Sequence, residues 1–227
     1  MLKLENITKN YQNASNEILR EVLNDVNFTV SKGDSISIVG PSGSGKSTML
    51  NIMGSLDKPT SGNVFFNDQN IGELSKNQLA DIRNQHIGFV FQQHLLLPQL
   101  SLLENVLIPT MVEKDKQKKE GAAKRAMELL ELVGLTDKIK QLPGQLSVGE
   151  CQRTAVVRAL INEPEVILAD EPTGSLDEKS AINMVDLLTK INIEKNIAVV
   201  MVTHSLELAA KMKDSYRLVN GQLNKIS

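Results

Sequence analysis

The fold of this chain follows from one stretch, Gly40-Pro41-Ser42-Gly43-Ser44-Gly45-Lys46-Ser47-Thr48. It fits the pattern Gly-x4-Gly-Lys-[Ser/Thr] that is typical of a phosphate-binding loop. The run Ser35-Ile36-Ser37-Ile38-Val39 before it predicts a buried strand, and residues 47–54 predict the first turns of a helix. A strand, a glycine-rich turn and a helix N-terminus direct several backbone N–H groups at one point, as phosphate binding requires.

The residue types in this loop match the chemistry. Gly40, Gly43 and Gly45 are expected to adopt positive φ angles and to let the backbone approach phosphate oxygens closely. We expect Lys46 to reach the β- and γ-phosphates and the Ser47 hydroxyl to lie on Mg²⁺. The sequence therefore predicts that the chain binds a nucleoside triphosphate.

The composition limits the class of protein. A length of 227 residues suits one domain, or one domain with an inserted lobe, and 41% hydrophobic and 23% charged residues are ordinary for a soluble protein. The net charge of −2 gives no electrostatic reason to expect a nucleic-acid partner. No stretch reaches the roughly 18 apolar residues of a membrane span, and no signal peptide is evident. The single cysteine rules out an internal disulfide. We expect a cytosolic protein, or one that is held at a membrane by a partner.

The hydrophobic pattern predicts a nucleotide-binding core that is interrupted by helices. Alternating apolar residues predict β-structure in residues 1–39, and an Asn-Gly pair predicts a closing hairpin at 216–223. Residues 93–160 are interpreted as a mostly helical lobe, so that the core comprises about 1–92 and 161–227 of a single domain. Fully apolar runs predict further buried strands at 87–91, 166–170 and 198–202.

Two carboxylates follow one of these strands. Asp170 and Glu171 lie at its C-terminal end, which is the side on which parallel sheets bind ligands. Asp170 is placed to hold Mg²⁺ directly or through water. Glu171 is placed to polarise a water for in-line attack on the γ-phosphorus. An acidic strand end is common by itself, and the phosphate-binding loop makes this one a candidate site.

A histidine and a glutamine end two other predicted strands. His204 follows a strand that we expect beside the one carrying Asp170, which directs its ring toward the γ-phosphate. Gln92 opens the helical lobe and can touch both the metal and a moving lobe. His86 and His94 are interpreted as ordinary packed or exposed side chains.

A second anion site is predicted at Leu146-Ser147-Val148-Gly149-Glu150, ahead of a helix from about Cys151 to Ile161. A serine hydroxyl and backbone amides at a helix N-terminus favour an anion. Arg153 and Arg158 on this helix are interpreted as solvated. Because the first loop already surrounds the chain's own nucleotide, this second site suits the phosphate of another subunit. It predicts a dimer with ATP between the subunits.

Together these motifs resemble the ATPase subunit of an ABC transporter, in the family's order and over nearly the whole chain. The resemblance implies a P-loop NTPase with a RecA-like, mostly parallel sheet, an N-terminal antiparallel β subdomain and an inserted helical subdomain. It implies a homodimer on an integral membrane permease, at the cytoplasmic face of the plasma membrane and without nucleic acid. Further roles are implied for six residues: adenine stacking for Tyr11, γ-phosphate sensing and metal contact for Gln92, contacts to the partner's ATP for Ser147 and Gly149, a link between sites for Asp177, and a switch for His204.

The motifs are most similar to the branch with lipoprotein-releasing, macrolide-export, antimicrobial-peptide and cell-division ATPases. That similarity implies export or extraction of a lipoprotein, peptide or drug. Three residues depart from the pattern: Val148 replaces a glycine, Cys151 a polar residue, and Ser205 an aspartate. None removes a group that hydrolysis needs, although β-branched Val148 restricts the backbone where a partner's phosphate would bind. Cys151 is interpreted as a packed thiol.

Three other classes of protein share parts of this pattern. DNA-repair and chromosome ABC proteins need an insertion longer than residues 93–160. A kinase that transfers phosphate to an acceptor leaves the motif 146–150 and His204 unexplained. A nucleotide-gated scaffold with low turnover, of the cell-division type, stays open as the alternative, because only a hydrolysis rate separates it from a transport ATPase.

Overall fold

The strands of this protein form two sheets. A computed structural model describes residues 1–12, 18–112 and 116–226. The strands are β1 Leu2–Gln12, β2 Ile18–Val30, β3 Ser35–Val39, β4 Ser61–Phe66, β5 Gln69–Asn70, β6 Ile87–Val90, β7 Val166–Asp170, β8 Ala198–Thr203, β9 Asp214–Val219 and β10 Gln222–Lys225. The α-helices are α1 Lys46–Met53, α2 Lys76–His86, α3 Leu102–Leu107, α4 Lys116–Leu132, α5 Val148–Leu160, α6 Glu178–Lys195 and α7 Leu206–Ala209. Short 3-10 helices occupy Ile71–Glu73, Ile108–Val112, Thr136–Lys138 and Pro143–Gln145.

The larger sheet has the strand order β10-β9-β3-β8-β7-β6. Strands β6, β7, β8, β3 and β9 pair in parallel, and β10 is antiparallel to β9. All 6 residues of β8 are buried, as expected for a strand that is covered on both faces. The predicted mostly parallel sheet and closing hairpin are confirmed. Because parallel strands end at one edge, the residues that follow β3, β7 and β8 lie together there.

The side chains of this sheet alternate between two apolar cores. In β8, Val200 and Val202 pack into the core shared with α1 and the smaller sheet. Val199 and Met201 pack into the core formed with α5 and α6. This alternation fixes which strand residues face each layer.

The smaller sheet has the order β2-β1-β4-β5, and all its neighbours are antiparallel. Leu2, Leu4 and Ile7 of β1 are buried in its core. It confirms the predicted antiparallel β subdomain. The β1–β2 register is interrupted by bulges, which break the alternation from which a strand is recognised. Because of these bulges, the sequence pattern predicts β-structure in residues 1–39 without fixing where β1 ends and β2 begins.

The inserted helices α3, α4 and α5 lie in the chain between β6 and β7, which are neighbours in the sheet. The charged run 114–120 begins outside the described residues and belongs to α4 from Lys116 onward. The exact boundaries of the helical lobe stay a prediction. Among the described residues, we find no helix with the length and apolar character that spanning a membrane would require.

Helix α5 begins at Val148, earlier than the predicted start near Cys151. Ser147 is its N-cap, and its side chain accepts a hydrogen bond from the Glu150 N–H while Glu150 bonds back to the Ser147 N–H. This reciprocal arrangement is a capping box, whose Ser-x-x-Glu pattern is visible in the sequence. The residues expected to form a loop before the helix are therefore its N-cap and first turn.

Candidate active site

The phosphate-binding loop connects β3 to α1, as predicted. Its Gly45 is the N-cap of α1 with φ 103°, and no side chain caps that helix. Gly43 also has a positive φ angle, of 75°. Gly40 does not, so the expectation of a positive φ there is wrong. Gly40 is required for another reason: a Cβ at this position would collide with the Leu218 carbonyl oxygen.

The loop is held in shape by its own lysine. Lys46 is 5% exposed, and its Nζ donates hydrogen bonds to the carbonyl oxygens of Gly40 at 2.9 Å and Pro41 at 3.1 Å. The Ser44 Oγ is buried and has no hydrogen-bond partner among the described residues. A buried hydroxyl without a partner costs free energy unless a ligand satisfies it. The loop therefore fits a phosphate group.

A cavity of about 430 Å³ opens above this loop. Most of the predicted residues meet in its wall: Tyr11, Ser42, Gly43, Gly45, Lys46, Ser47, Thr48, Gln92, Asp170 and Glu171. Two residues that sequence reasoning missed, Arg20 and Val22, also line it. Residues from the loop, both sheets and the start of the inserted segment thus converge on one cavity.

A pair of oxygens lies at the inner end of the cavity. The Ser47 Oγ donates a hydrogen bond to Asp170 Oδ1 at 2.9 Å. Burial raises the pKa of Asp170, the negative charge of Glu171 acts in the same direction, and the Ser47 hydrogen bond and Lys46 charge oppose them. Among residues 1–12, 18–112 and 116–226, no group of three or more His, Cys, Asp or Glu side chains could hold a metal ion. One hydroxyl and one carboxylate suit Mg²⁺, which completes its shell with water and substrate phosphates.

The carboxylate of Glu171 is paired with His204. Glu171 Oε2 lies 3.1 Å from His204 Nδ1. The backbone N–H of Glu171 bonds to the Val202 carbonyl at 3.0 Å, and its φ is 44°. The strand bearing His204 lies beside the one bearing Asp170, as predicted. A Cβ at Gly174 would meet the Gln92 side chain, so Gln92 packs against the segment that follows Glu171.

Tyr11, the aromatic residue that was expected to stack on adenine, lies at the rim of the cavity. Tyr11 is 45% exposed, and its hydroxyl lies 3.5 Å from Thr48 Oγ1 and 3.5 Å from Asp57 Oδ2. The Lys9 ammonium is 5.1 Å from the centre of the ring. Residues 13–17, which follow, lie outside the described residues.

Seven predicted residues are not among those that line this cavity: Gly40, Pro41 and Ser44 of the loop, His204, and Ser147, Gly149 and Asp177. Ser147 is the N-cap of α5 and Asp177 is the N-cap of α6. The two helix ends are close, because a Cβ at Gly149 would lie 3.9 Å from the Ser180 Oγ. Hydrogen bonds from the side chain and then the backbone N–H of Ser180 lower the pKa of Asp177. Ser147, Gly149 and Asp177 form a second location on the chain.

The remaining interpretations have mixed outcomes. Cys151 is buried, and burial raises the pKa of its thiol, so the packed thiol is confirmed. The interpretation of the two arginines as solvated is wrong. Arg158 donates to the carbonyls of His94 and Leu95 at 2.7 Å each, and the Arg153 Nε is buried. Both are drawn inward by tertiary packing that helical spacing does not reveal.

Comparison with known proteins identifies the family. Residues 23–174 match the family model described as ABC transporter. The chain is 47% identical to the lipoprotein-releasing system ATP-binding protein LolD 1 of Rhodopirellula baltica, over 98% of this chain and 96% of that protein. Solved structures of two proteins are also similar.

The dimeric structure of MJ0796, described as a bacterial ABC transporter cassette, matches with a TM-score of 0.87 and 42% identity, over 100% of this chain and 99% of that one. The cbiO1 protein of Clostridium perfringens, part of an ABC transporter complex, matches with a TM-score of 0.86 and 26% identity, over 98% and 86%. A post-hydrolysis structure of MJ0796 with ADP and phosphate has a TM-score of 0.86. The chain belongs to the ABC transporter family, as one of its ATP-binding and ATP-hydrolysing subunits.

Proposed function

We propose that two copies of this chain sandwich ATP and drive an integral membrane permease that extracts or exports a lipoprotein, peptide or drug. In this proposal the dimer sits on the cytoplasmic face of the plasma membrane. The similarity to a lipoprotein-releasing ATPase over almost the full length supports this assignment. One observation carries it: a preformed nucleotide cavity and a separate set of helix N-termini lie on the same chain.

The nucleotide takes its place in the cavity of about 430 Å³. The amides of residues 40–48 bind the β- and γ-phosphates, with Lys46 supplying a positive charge at the base of the loop. Lys46 exchanges its present carbonyl acceptors for phosphate oxygens. Tyr11 at the rim stacks on adenine, because an exposed aromatic face beside the loop provides the apolar surface that a base needs.

The magnesium ion is assigned to Ser47 and Asp170, with Gln92 as a further contact. Their oxygens line one end of the cavity, and the Ser47–Asp170 hydrogen bond keeps the two in register. When bound, Mg²⁺ neutralises charge on the phosphate oxygens. A cation here also removes the cost of keeping the buried Asp170 carboxylate ionised.

Glu171 is assigned as the general base of hydrolysis. Its carboxylate takes a proton from a water whose oxygen attacks the γ-phosphorus, and the bond from that phosphorus to the bridging oxygen breaks to give ADP and phosphate. The left-handed backbone of Glu171 and its contact with His204 hold the carboxylate in one direction. His204 orients the Glu171 carboxylate and contacts the γ-phosphate.

Ser147, Gly149 and Asp177 are assigned to the second subunit's ATP. They do not line their own chain's cavity, and the first turns of α5 and α6 offer amides to an anion that approaches from outside. MJ0796, which is 42% identical, has a dimeric structure that supports the same arrangement here.

The substitution Glu171→Gln tests the hydrolysis step. It removes the proton acceptor and keeps the shape, so we expect the ATPase rate to fall by at least about 100-fold while ATP binding persists and the ATP-bound dimer accumulates. Steady-state rates and light scattering with ATP measure both effects. Glu207→Gln, which makes the same charge change on the exposed surface of α7, is the matched control. An undiminished rate in Glu171→Gln contradicts the assignment.

The permease assignment is tested by purifying the tagged chain from membranes in mild detergent. We expect a multi-pass protein to co-purify and to stimulate ATP hydrolysis. If only soluble proteins are recovered, or if the complex turns over no faster than the free chain, the low-turnover scaffold replaces the transport ATPase as the better assignment.

A further inference from the structure

Arg20 lies beside the proposed base-stacking residue in the nucleotide cavity. In the antiparallel β1–β2 pair, Tyr11 and Arg20 are direct register partners. Side chains of directly paired residues project from the same face of a sheet, and Val22 lies two positions along β2, where a bulge interrupts the register. All three line the cavity. The register of one strand pair therefore places an arginine in the cavity wall.

The arginine reaches the phosphate-binding loop directly. Its Nη2 donates a hydrogen bond to the carbonyl oxygen of Gly43. A Cβ at Gly43 would lie 3.2 Å from the same nitrogen, so the guanidinium rests against the loop at this glycine. The charged end of Arg20 is thus held at the rim of the loop whose amides are assigned to phosphate.

The two cations of the cavity wall occupy different positions. Lys46 is 5% exposed at the base of the loop, whereas Arg20 is exposed at the mouth. A guanidinium carries five N–H donors, and among the described residues Arg20 bonds to Gly43 alone, which leaves donors for another acceptor. Its planar fork suits phosphate oxygens, and a charge-assisted bond of this kind is stronger than a neutral one.

We propose that Arg20 is a phosphate-binding residue that extends the loop, contacting the phosphate chain of the nucleotide from the mouth of the cavity. This inference rests on the proposed placement of ATP in the same cavity. It assigns to Arg20 a role that none of the sequence motifs contains. The recognised chemistry is the charge of the phosphate chain beyond the first phosphate, so Arg20 contributes more to the binding of ADP and ATP than to that of AMP.

Binding of AMP, ADP and ATP to the full chain tests the proposal, with Kd measured by calorimetry for the wild type, Arg20→Gln and Arg20→Lys. We expect Arg20→Gln to weaken ATP and ADP about tenfold, the order of one charge-assisted hydrogen bond, and AMP about twofold or less. Arg20→Lys keeps the positive charge but lacks the planar fork of donors. Its Kd values for ATP and ADP should lie between those of the wild type and of Arg20→Gln. Lys124→Gln, on the exposed surface of α4, removes a positive charge outside the cavity and should leave all three affinities unchanged.

The outcomes separate the two proposals. If the wild type fails to bind ATP, the proposed function fails. If the wild type binds ATP but Arg20→Gln leaves all affinities intact, the role of Arg20 is wrong. An equal loss for AMP, ADP and ATP also overturns it, because that pattern indicates contact with the base or ribose, or a merely structural tie to Gly43. Thermal unfolding of each variant without nucleotide shows whether the fold is retained.

Discussion

The N-termini of α1 and α5 are both assigned to phosphate binding, and they differ in whether a side chain of the protein caps them. The α1 terminus follows Gly45 and has no side-chain cap. The α5 terminus follows Ser147 and is closed by a capping box with Glu150. An uncapped helix N-terminus keeps its amides for a ligand, whereas a capped one has satisfied part of them already.

The local charges differ in the same way. A buried lysine cation stands at the α1 terminus. At α5, hydrogen bonds from Ser147 and, to a smaller extent, the nearby Lys138 lower the pKa of Glu150 to about 2. The helix N-terminus therefore already carries a negatively charged carboxylate. A phosphate that approaches α5 meets a negative charge. The free chain is therefore prepared for nucleotide at α1, and the α5 end depends on what the partner subunit brings.

Of the variants that test this comparison, Lys46→Ala is expected to have the largest effect, because it removes the cation at the α1 N-terminus. The carbonyls of Gly40 and Pro41 lose their donor, and the phosphates lose a buried positive charge. We expect the Kd for ATP to rise by about 100-fold, since bonds to charged groups contribute roughly 1.5–3 kcal/mol. Calorimetric titration measures it, with Lys124→Ala as an exposed control. An unchanged affinity would mean that the loop does not bind phosphate.

A smaller effect is expected from Val148→Gly, which makes the α5 terminus more like a glycine-rich loop. Val148 is 52% exposed at the first turn of α5, where in the proposed dimer its branched side chain would meet the approaching partner. Removing a steric conflict of this kind recovers about 1–3 kcal/mol. In a Glu171→Gln background we expect the ATP-induced dimer to form about tenfold more tightly. Sedimentation at several concentrations measures the dimer constant, and no gain would show that Val148 does not obstruct closure.

The smallest effect is expected from Glu150→Gln, which keeps the shape of the capping box and removes its charge. Because the folded-state pKa of Glu150 lies below the ordinary value of 4.5, its stabilisation is complete above that pH and is lost as the pH falls toward about 2. We expect the free energy of unfolding to fall by about 1 kcal/mol at neutral pH. Urea unfolding at neutral pH and at about pH 3 should show the difference shrinking with acid.

Glu104→Gln is the companion variant for this measurement. Glu104 forms the same capping box with Ser101 at the start of α3, and hydrogen bonds from Ser101 lower its pKa as well. Its position is exposed, so solvent screens its charge and the pH dependence should be weaker. Equal pH dependence in both variants would show that burial near Lys138 adds nothing at Glu150.

Most of the fold could be predicted because its strands carry strong local patterns. The strands β3, β7 and β8 are mostly apolar and almost entirely buried, and a glycine or polar residues follow them in the sequence. The β1–β2 pair was predicted incompletely because bulges break its alternation. The start of α5 was misplaced because the glycine at 149 resembles a loop, although the Ser-x-x-Glu pattern was present.

The cavity could be predicted where a motif or a strand end carries the residue. Asp170, Glu171 and Gln92 each lie at or just after the C-terminal end of a strand of the larger sheet, so they meet at one edge of it. Arg20 belongs to no motif and reaches the loop only through its register with Tyr11, which composition and periodicity do not encode. The inward position of Arg158 depends in the same way on contacts that are distant along the chain.

These distant contacts of α5 have a mechanical consequence. Gln152 near the start of α5 donates a hydrogen bond to the Phe91 carbonyl at 2.7 Å. Arg158 near the end of the helix donates hydrogen bonds to backbone carbonyls of the segment that follows Gln92. Helix α5 is therefore hydrogen-bonded at two points to the segment that leaves the nucleotide cavity. A displacement of this segment is therefore expected to be passed to α5 through these hydrogen bonds.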